Sequence, residues 1–308
     1  MTLIENITQL ISNAPILFGI LFFFFGTIIA SFFNVVILRY PKVSDYENSQ
    51  EVKAWFEEKG IAIPVEIDKF EKISLSFPSS HCYSCHKPLK WYHNIPVFSY
   101  LFLRGKCGYC ETPISAQYPI VEFIGGLVML FSYCMFFPMG LLHFIFGSIF
   151  LMALFVSASI DIKSYMLPDG ITYFLMWSGL ALALFNFSLF DISIKESVAG
   201  ALVGYLLCRI VAEIGRLIKG EAVMGDGDLK LLAMLGVFIG VKGAVFTFFA
   251  APFFGFITWI AFKVVRKGDR MIPYGPSLML AGCYYLLFKN YIPDVVTEIL
   301  SLIPKIYI

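Results

Sequence analysis

Two aspartates stand where apolar runs meet turns, and their placement is the first chemical signal in this sequence. Asp228 lies in GDGDLK, just before LLAMLGVFIG, and Asp161 follows the apolar run LLHFIFGSIFLMALFVSASI. Ionised aspartate is costly at membrane depth, and glycine is costly in a helix. Two carboxylates brought together cannot both ionise cheaply, so they share a proton. One can then take a proton from water while the other donates to a scissile carbonyl, which is aspartyl protease chemistry. The dipoles order the pair: Asp161, closing a helix, is expected to hold the proton, and Asp228, opening one, to be ionised. Gly225 and Gly227 permit backbone conformations closed to other residues and leave room for an extended substrate. Lys230 supplies positive charge or snorkels to the interface. Plainer roles exist for each acid. Asp228 suits an N-cap, Asp161 an interfacial site beside Lys163, and Asp169 a turn in LPDG. Asp226, between glycines, suits contact with substrate or solvent.

A second signal lies in FPSSHCYSCHKPLKWYHNIPVFSYLFLRGKCGYCETPIS. Cys82 and Cys85 form one CxxC element and Cys107 and Cys110 another, separated by the 21 residues 86–106. Two such turns at this separation suit one tetrahedral zinc ion with four thiolate ligands. Four cysteines leave no open coordination position, so the metal is structural. Two disulfides are the competing reading, disfavoured where thiols are kept reduced. His81, His86 and His93 lie nearby but are not needed as ligands. Cys134, Cys208 and Cys283 are isolated in apolar runs and read as packing residues.

The elements that must position these groups are membrane helices. The chain is 58% hydrophobic, has 33 phenylalanines, and is 15% charged against about 25% for an ordinary soluble domain. Its net charge is +1, with no basic stripe to suggest nucleic acid. The expected fold is an all-α polytopic membrane protein. Spans of about 20 apolar residues are read near 15–38, 119–138, 141–160, 171–190, 196–217, 229–241, 243–265 and 274–291. The expected organisation is a first transmembrane helix in 1–38, then a cytoplasmic loop domain with the tetracysteine site in 39–118. A transmembrane peptidase core in 119–291 and an amphipathic tail in 292–308 follow. No cleavable leader and no internal repeat are read. Residues 44–76 read as a charged, partly helical appendage. Lysine and arginine concentrate on the side bearing Arg39, Arg104, Lys163 and Arg216, which marks it as cytoplasmic and places both termini outside. GDGDLK, DIKSYMLPDG and the cysteine loop then share that side.

The sequence closely resembles the type IV prepilin peptidases, also called prepilin leader peptidase/N-methyltransferases. The matching stretches are GTIIASFFNVVILRYP, the two CxxC elements around NIPVFSYLFLRGKCGYC, ISAQYPIVEFIGG, SIDIKSYMLPDGIT, GDGDLKLLAMLG and IPYGPSL. The GxGD pattern is also similar to that of presenilin-type intramembrane proteases. The resemblance implies cleavage of a basic leader from prepilins and pseudopilins at a Gly–Phe junction on the cytoplasmic face of a bacterial inner membrane. It also implies methylation of the new N-terminal amine with S-adenosylmethionine. It carries the catalytic pair onto Asp161 and Asp228 and the metal motif onto Cys82, Cys85, Cys107 and Cys110. It carries a glutamate that supports methylation or orients substrate onto Glu122, whose plainer role is an acid near a helix start. No GxGxxG follows a strand, so no Rossmann-type cofactor pocket is expected, and Gly125–Gly126 and Gly225–Gly227 are weak signals for one. A proton-coupled transporter and a non-enzymatic assembly factor are the rival readings. A transporter would spread its acids through the membrane depth rather than gather them at one face.

Overall fold

The computed structural model describes residues 3–62, 73–75, 77, 79–220, 224–265 and 273–289. The regular elements among these residues are helices, and the chain divides into two compact units, Met1–Val156 and Ser157–Ile308. The helices are α1 (Leu3–Asn13), α2 (Pro15–Glu58), α3 (Phe98–Phe102), α4 (Gln117–Phe136), α5 (Leu141–Ser164), α6 (Asp169–Leu184), α7 (Ile194–Lys219), α8 (Asp226–Val265) and α9 (Gly275–Phe288). Among the described residues, five helices are long and apolar enough to cross a membrane: α2, α4 with its 3-10 extension to Met139, α5, α7 and α8. α6 and α9 are apolar but shorter. The chain is thus an all-helical, multi-pass membrane protein.

In the first unit α2 and α4 pack along a seam of small residues. Ala30 is fully buried, and Gly26, Gly125 and Gly126 sit against it or against each other's backbone. Small residues let two backbones approach closely, which is how helices gain packing energy in lipid. Aromatic rings fill the next layer, with Phe22 against Tyr133 and Phe144 at centroid distances of 5.0 and 4.6 Å. The second unit is built around α8, which packs against α6, α7 and α9. Here too glycine makes the closest crossing: Gly200 of α7 lies against the Gly236 backbone of α8. Leu231, Leu232, Met234 and Leu235 on α8 are almost fully buried.

Several boundaries differ from the sequence reading. α2 does not stop near residue 38 but continues through Pro41 to Glu58. The apolar run ends there, yet the polar residues that follow include good helix formers (Glu, Lys, Ala, Gln), so the backbone ladder continues in the same helix. Residues 44–58 therefore bear out the expected helical part of the charged segment; residues 63–72 and 76 of it, and the tail 292–308, lie outside the described residues. The two segments read at 229–241 and 243–265 agree with α8, which runs as two helices joined at a kink close to the boundary expected between them. It is interrupted at Gly240, whose φ of 67° and ψ of −173° are non-helical and open to glycine. α7 begins with a capping box in which Ser193 and Glu196 each bond the other's backbone N–H.

The close crossing of α7 and α8 gives a direct test. Gly236→Val forces a side chain into the Gly200 backbone, and overpacking of this kind costs about 1–3 kcal/mol. We expect a lowered thermal unfolding midpoint and loss of monodisperse elution in detergent. Gly170→Ala, at a position with nothing within 4 Å, should leave both unchanged.

Candidate active site and candidate metal centre

Three helix ends and one turn in the second unit build the acidic site. Asp161 occupies the last turn of α5, which closes when Tyr165 N–H donates to the Asp161 carbonyl at 2.8 Å and Tyr165 itself turns to φ 57°. The chain then crosses Leu167 and Pro168 and enters α6 at Asp169. α8 opens with Asp226 and Asp228 in its first turn, and α9 opens at Gly275. The Asp161 carboxylate is only 5% exposed. Its Oδ2 accepts the Gly275 N–H at 3.1 Å, satisfying one of the unpaired donors that every helix N-terminus presents. A carboxylate oxygen and the carbonyl oxygen of a protonated acid both accept such a bond. Leu167 lies against Gly227 and Gly275 alike: a Cβ built on either glycine would stand 3.1 Å from the Leu167 side chain. The α8 and α9 openings are thereby drawn to the end of α5.

Asp228 is half-buried, its backbone N–H donating to the Gly225 carbonyl at 3.1 Å. Gly227, the residue before it, and Gly275, whose N–H bonds Asp161, both pack on Leu167, and Asp228 lies near enough to Asp161 for the two carboxylates to interact. The two acids picked out in the sequence are therefore neighbours. The two rivals are not equivalent to them. Asp226 is exposed, and Asp169 forms an ion pair with Lys230 at 2.6 Å. Lys230 also lies 5.6 Å from the Tyr173 ring, so its ammonium ties the first turn of α8 to α6. The pair is partly exposed and contributes at most about 1 kcal/mol; its larger effect is to fix the turn that carries Asp228. Gly275, Tyr274 and Leu167 escaped the sequence reading. The first two lay in IPYGPSL, where only the step from turn to helix hinted at a free N–H donor.

The cysteines form a second site, in the first unit. The four Sγ atoms all lie within 4.8 Å of one another, with Cys82 and Cys110 3.8 Å apart. That separation is too long for a disulfide of about 2.05 Å. It matches the edge of a tetrahedron with metal–sulfur bonds of about 2.3 Å, roughly 3.8 Å. The donors thus fit zinc, and the cluster holds no histidine. Contrary to the reading that the chain lacks an internal repeat, the two knuckles are copies offset by 25 positions, from Cys82 to Cys107. Cys82 N–H donates to the Lys87 carbonyl and Cys107 N–H to that of Thr112, at 3.1 and 2.9 Å. His86 and Glu111, each following its second cysteine, have φ of 56° and 58°. Bridges His81–Pro88 and Lys106–Pro113 close the two copies. The repeat is in backbone geometry, and only cysteine and proline recur at matching positions. Hydrogen bonding with Thr112 holds the Cys110 thiol down to about 6, whereas desolvation and the neighbouring thiols push Cys85 up to about 11.

Glu122, 8% exposed on α4, accepts the Val97 N–H at 2.8 Å and also bonds Ser31. Gly125 and Gly126 are filled by the α2 seam, and Gly225 and Gly227 form the turn at Asp228. The weak cofactor signals are thus packing and turn positions.

These observations define a multi-pass membrane protein with paired acids at converging helix ends and a four-cysteine cluster that could hold a metal ion. A model of the bacterial peptidase A24 N-terminal domain matches residues 24–136, and a model of the type IV leader peptidase family matches residues 148–260. A Klebsiella pneumoniae protein named prepilin leader peptidase/N-methyltransferase is 38% identical over 242 residues, covering 77% of this chain and 93% of the relative. Proteins of the same name from Neisseria gonorrhoeae and Aeromonas hydrophila are 32% and 33% identical, covering 83% and 92% of this chain and 86% and 94% of the relatives. No solved structure gives a significant match. The chain belongs to the type IV leader peptidase family and is a peptidase.

Two outcomes follow. A methyl group at Gly275 would sit 2.6 Å from Asp161 Oδ2, so Gly275→Ala should lower kcat for leader cleavage at least tenfold in a protein that still elutes as folded. The cysteine centre should hold one zinc ion per chain by elemental analysis. Cys110→Ser should lose it, and acidification should release the zinc, because protons compete with the metal for the four thiolates.

Proposed function

We propose that this chain removes the leader from prepilins and pseudopilins and then N-methylates the amine it exposes. The single observation that carries the peptidase half is the meeting of Asp161 and Asp228 within the segment matched by the type IV leader peptidase model. The two carboxyls share one proton. The ionised one takes a proton from water, and the hydroxyl so formed adds to the carbonyl carbon of the scissile bond. The neutral one donates its proton to the carbonyl oxygen. Collapse of the tetrahedral species breaks the C–N bond, with a proton delivered to the departing amine. The Gly275 N–H orients Asp161, and the Lys230–Asp169 pair holds the Asp228 turn.

The substrate would have a basic leader joined to an apolar helix. Cleavage falls at the Gly–Phe junction, where the leader meets the membrane interface. Asp226, exposed in the same turn as Asp228, would meet the basic leader. Counting α8 as two segments parted at Gly240, with α6 and α9 as short spans, gives eight crossings in all. The lysine and arginine distribution then turns the active site to the cytoplasmic face of the bacterial inner membrane.

Zinc held by Cys82, Cys85, Cys107 and Cys110 would be structural, because four thiolates fill a tetrahedral shell. It supplies folding energy to a segment with little core of its own. S-adenosylmethionine is the methyl donor that N-methylation requires. Among the described residues the glycine pairs that could have cradled it have packing and turn roles.

Asp161→Asn and Asp228→Asn should each lower leader cleavage by at least about 100-fold, the usual contribution of a positioned acid or base. Both variants should still insert in the membrane. The readout is the mass of a synthetic prepilin leader peptide incubated with purified protein and S-adenosylmethionine, since leader loss and gain of one methyl register separately. Full cleavage by both variants removes the dyad mechanism.

A further inference from the structure

We propose that residues 95–103 form a re-entrant membrane segment whose exposed face is covered by lipid acyl chains. This is part of the stretch that the sequence places in a water-exposed loop. The proposal rests on the membrane reading of α2 and α4 and does not depend on the peptidase reading.

The depth comes from two contacts. Val97 N–H donates to Glu122, whose carboxylate also bonds Ser31 of α2. Ser31 lies seven residues inside the apolar run that ends at Leu38, about 10 Å at 1.5 Å per residue. The Phe98 ring reaches further, packing on Phe24 of the same run with centroids 5.9 Å apart. Beside these contacts the outward side is apolar: Ile95 is 41% exposed, Phe98 43%, Leu101 63% and Phe102 83%. Such a patch is a liability in water but continuous with the lipid-facing surface of α2.

Lipid imposes the condition that irregular chain survives at depth only when its polar groups are satisfied from within, and four N–H groups here bond carbonyls of the same segment. Pro96 has no N–H. Phe98 donates to the Pro96 carbonyl at 2.6 Å, Ser99 to Ile95 at 3.1 Å, Leu101 to Val97 at 3.2 Å and Leu103 to Ser99 at 2.9 Å. Val97 cannot join that ladder, because its φ of 61° turns it out of helical geometry, and its N–H is the one that Glu122 takes. The buried glutamate is thereby explained as a cap for a re-entrant turn. The flanks suit the interface: Trp91 and Tyr92 precede the segment, and Arg104 and Lys106 follow it.

The test uses the full chain in nanodiscs of phosphatidylethanolamine and phosphatidylglycerol, with the photo-crosslinker p-benzoylphenylalanine in place of Phe102. Leu101 serves as a second position should the first variant not fold. Ile16, 80% exposed on the apolar part of α2, is the lipid-facing control, and Glu58, at the polar end of α2, is the water-facing one. We expect lipid adducts at 102 at a yield within about twofold of Ile16 and at least fivefold above Glu58. A yield no higher than at Glu58 overturns the proposal. With the crosslinker at 102, Glu122→Gln keeps an acceptor for Val97 N–H and should preserve the adduct, whereas Glu122→Leu should reduce it at least fivefold. Equal yields in these two variants overturn the anchoring by Glu122. Leader cleavage is measured in parallel on the unsubstituted chain, so its absence counts against the proposed function and not against the segment's depth.

Discussion

Hydrocarbon offers no hydrogen bonds. Each polar backbone group and each carboxyl placed in it must find a partner within the chain, and this requirement orders most of the structure. Regular helix answers it for the bulk of the backbone, so the interesting positions are those where helix stops. α9 begins with a free N–H at Gly275, and the acceptor is the Asp161 carboxyl. The ladder of 95–103 fails at Val97, and the acceptor is Glu122. In both cases a costly buried acid is matched to a costly unpaired donor, and each offsets the other.

The same economy shapes the acidic site. Helix ends are where backbone groups are unsatisfied, where glycine is tolerated, and where a short side chain can reach a partner on another element. Bringing the end of α5 to the starts of α8 and α9 places two acids, an amide donor and Tyr274 in one small region of the second unit. Leu167 keys that region, since both Gly227 and Gly275 are fitted around it. The Asp169–Lys230 pair then holds α6 to the α8 turn from outside. Two neighbouring carboxyls relax apart unless the backbone beneath them is fixed, and these contacts fix it.

The four-cysteine centre answers a different shortage. Residues 79–114 contain little regular structure, with a 3-10 turn at Trp91–Asn94 and α3 as their only helices. Cys107 is the one thiol of the four that is fully buried. A segment so poor in core would gain order from ligand bonds, and its two matching knuckles gather four sulfurs that could hold one ion. The repeat is nearly invisible in the residues because a knuckle asks for two cysteines, a positive φ and a closing bridge. His86 and Glu111 satisfy the second demand with unrelated side chains.

Much of this was legible in the sequence for definite reasons. Apolar runs fixed the helical, membrane-spanning class, since only helix satisfies a lone spanning backbone. Cysteine spacing picked out the four sulfurs that the fold gathers, since a CxxC turn is local. Asp161 and Asp228 stood out because charge beside long apolar runs is rare. The end of α2 was not legible, because hydropathy reports where lipid-like composition stops and says nothing of where the hydrogen-bond ladder stops. Neither were Gly275 and Leu167, whose roles exist only once three helix ends converge, nor the partnership of Val97 with Glu122, 25 residues away. Composition and spacing determined which groups had to be accommodated. Only tertiary packing decided which partner each received, because a hydrogen bond between separate elements depends on their approach in space, and no local pattern encodes that.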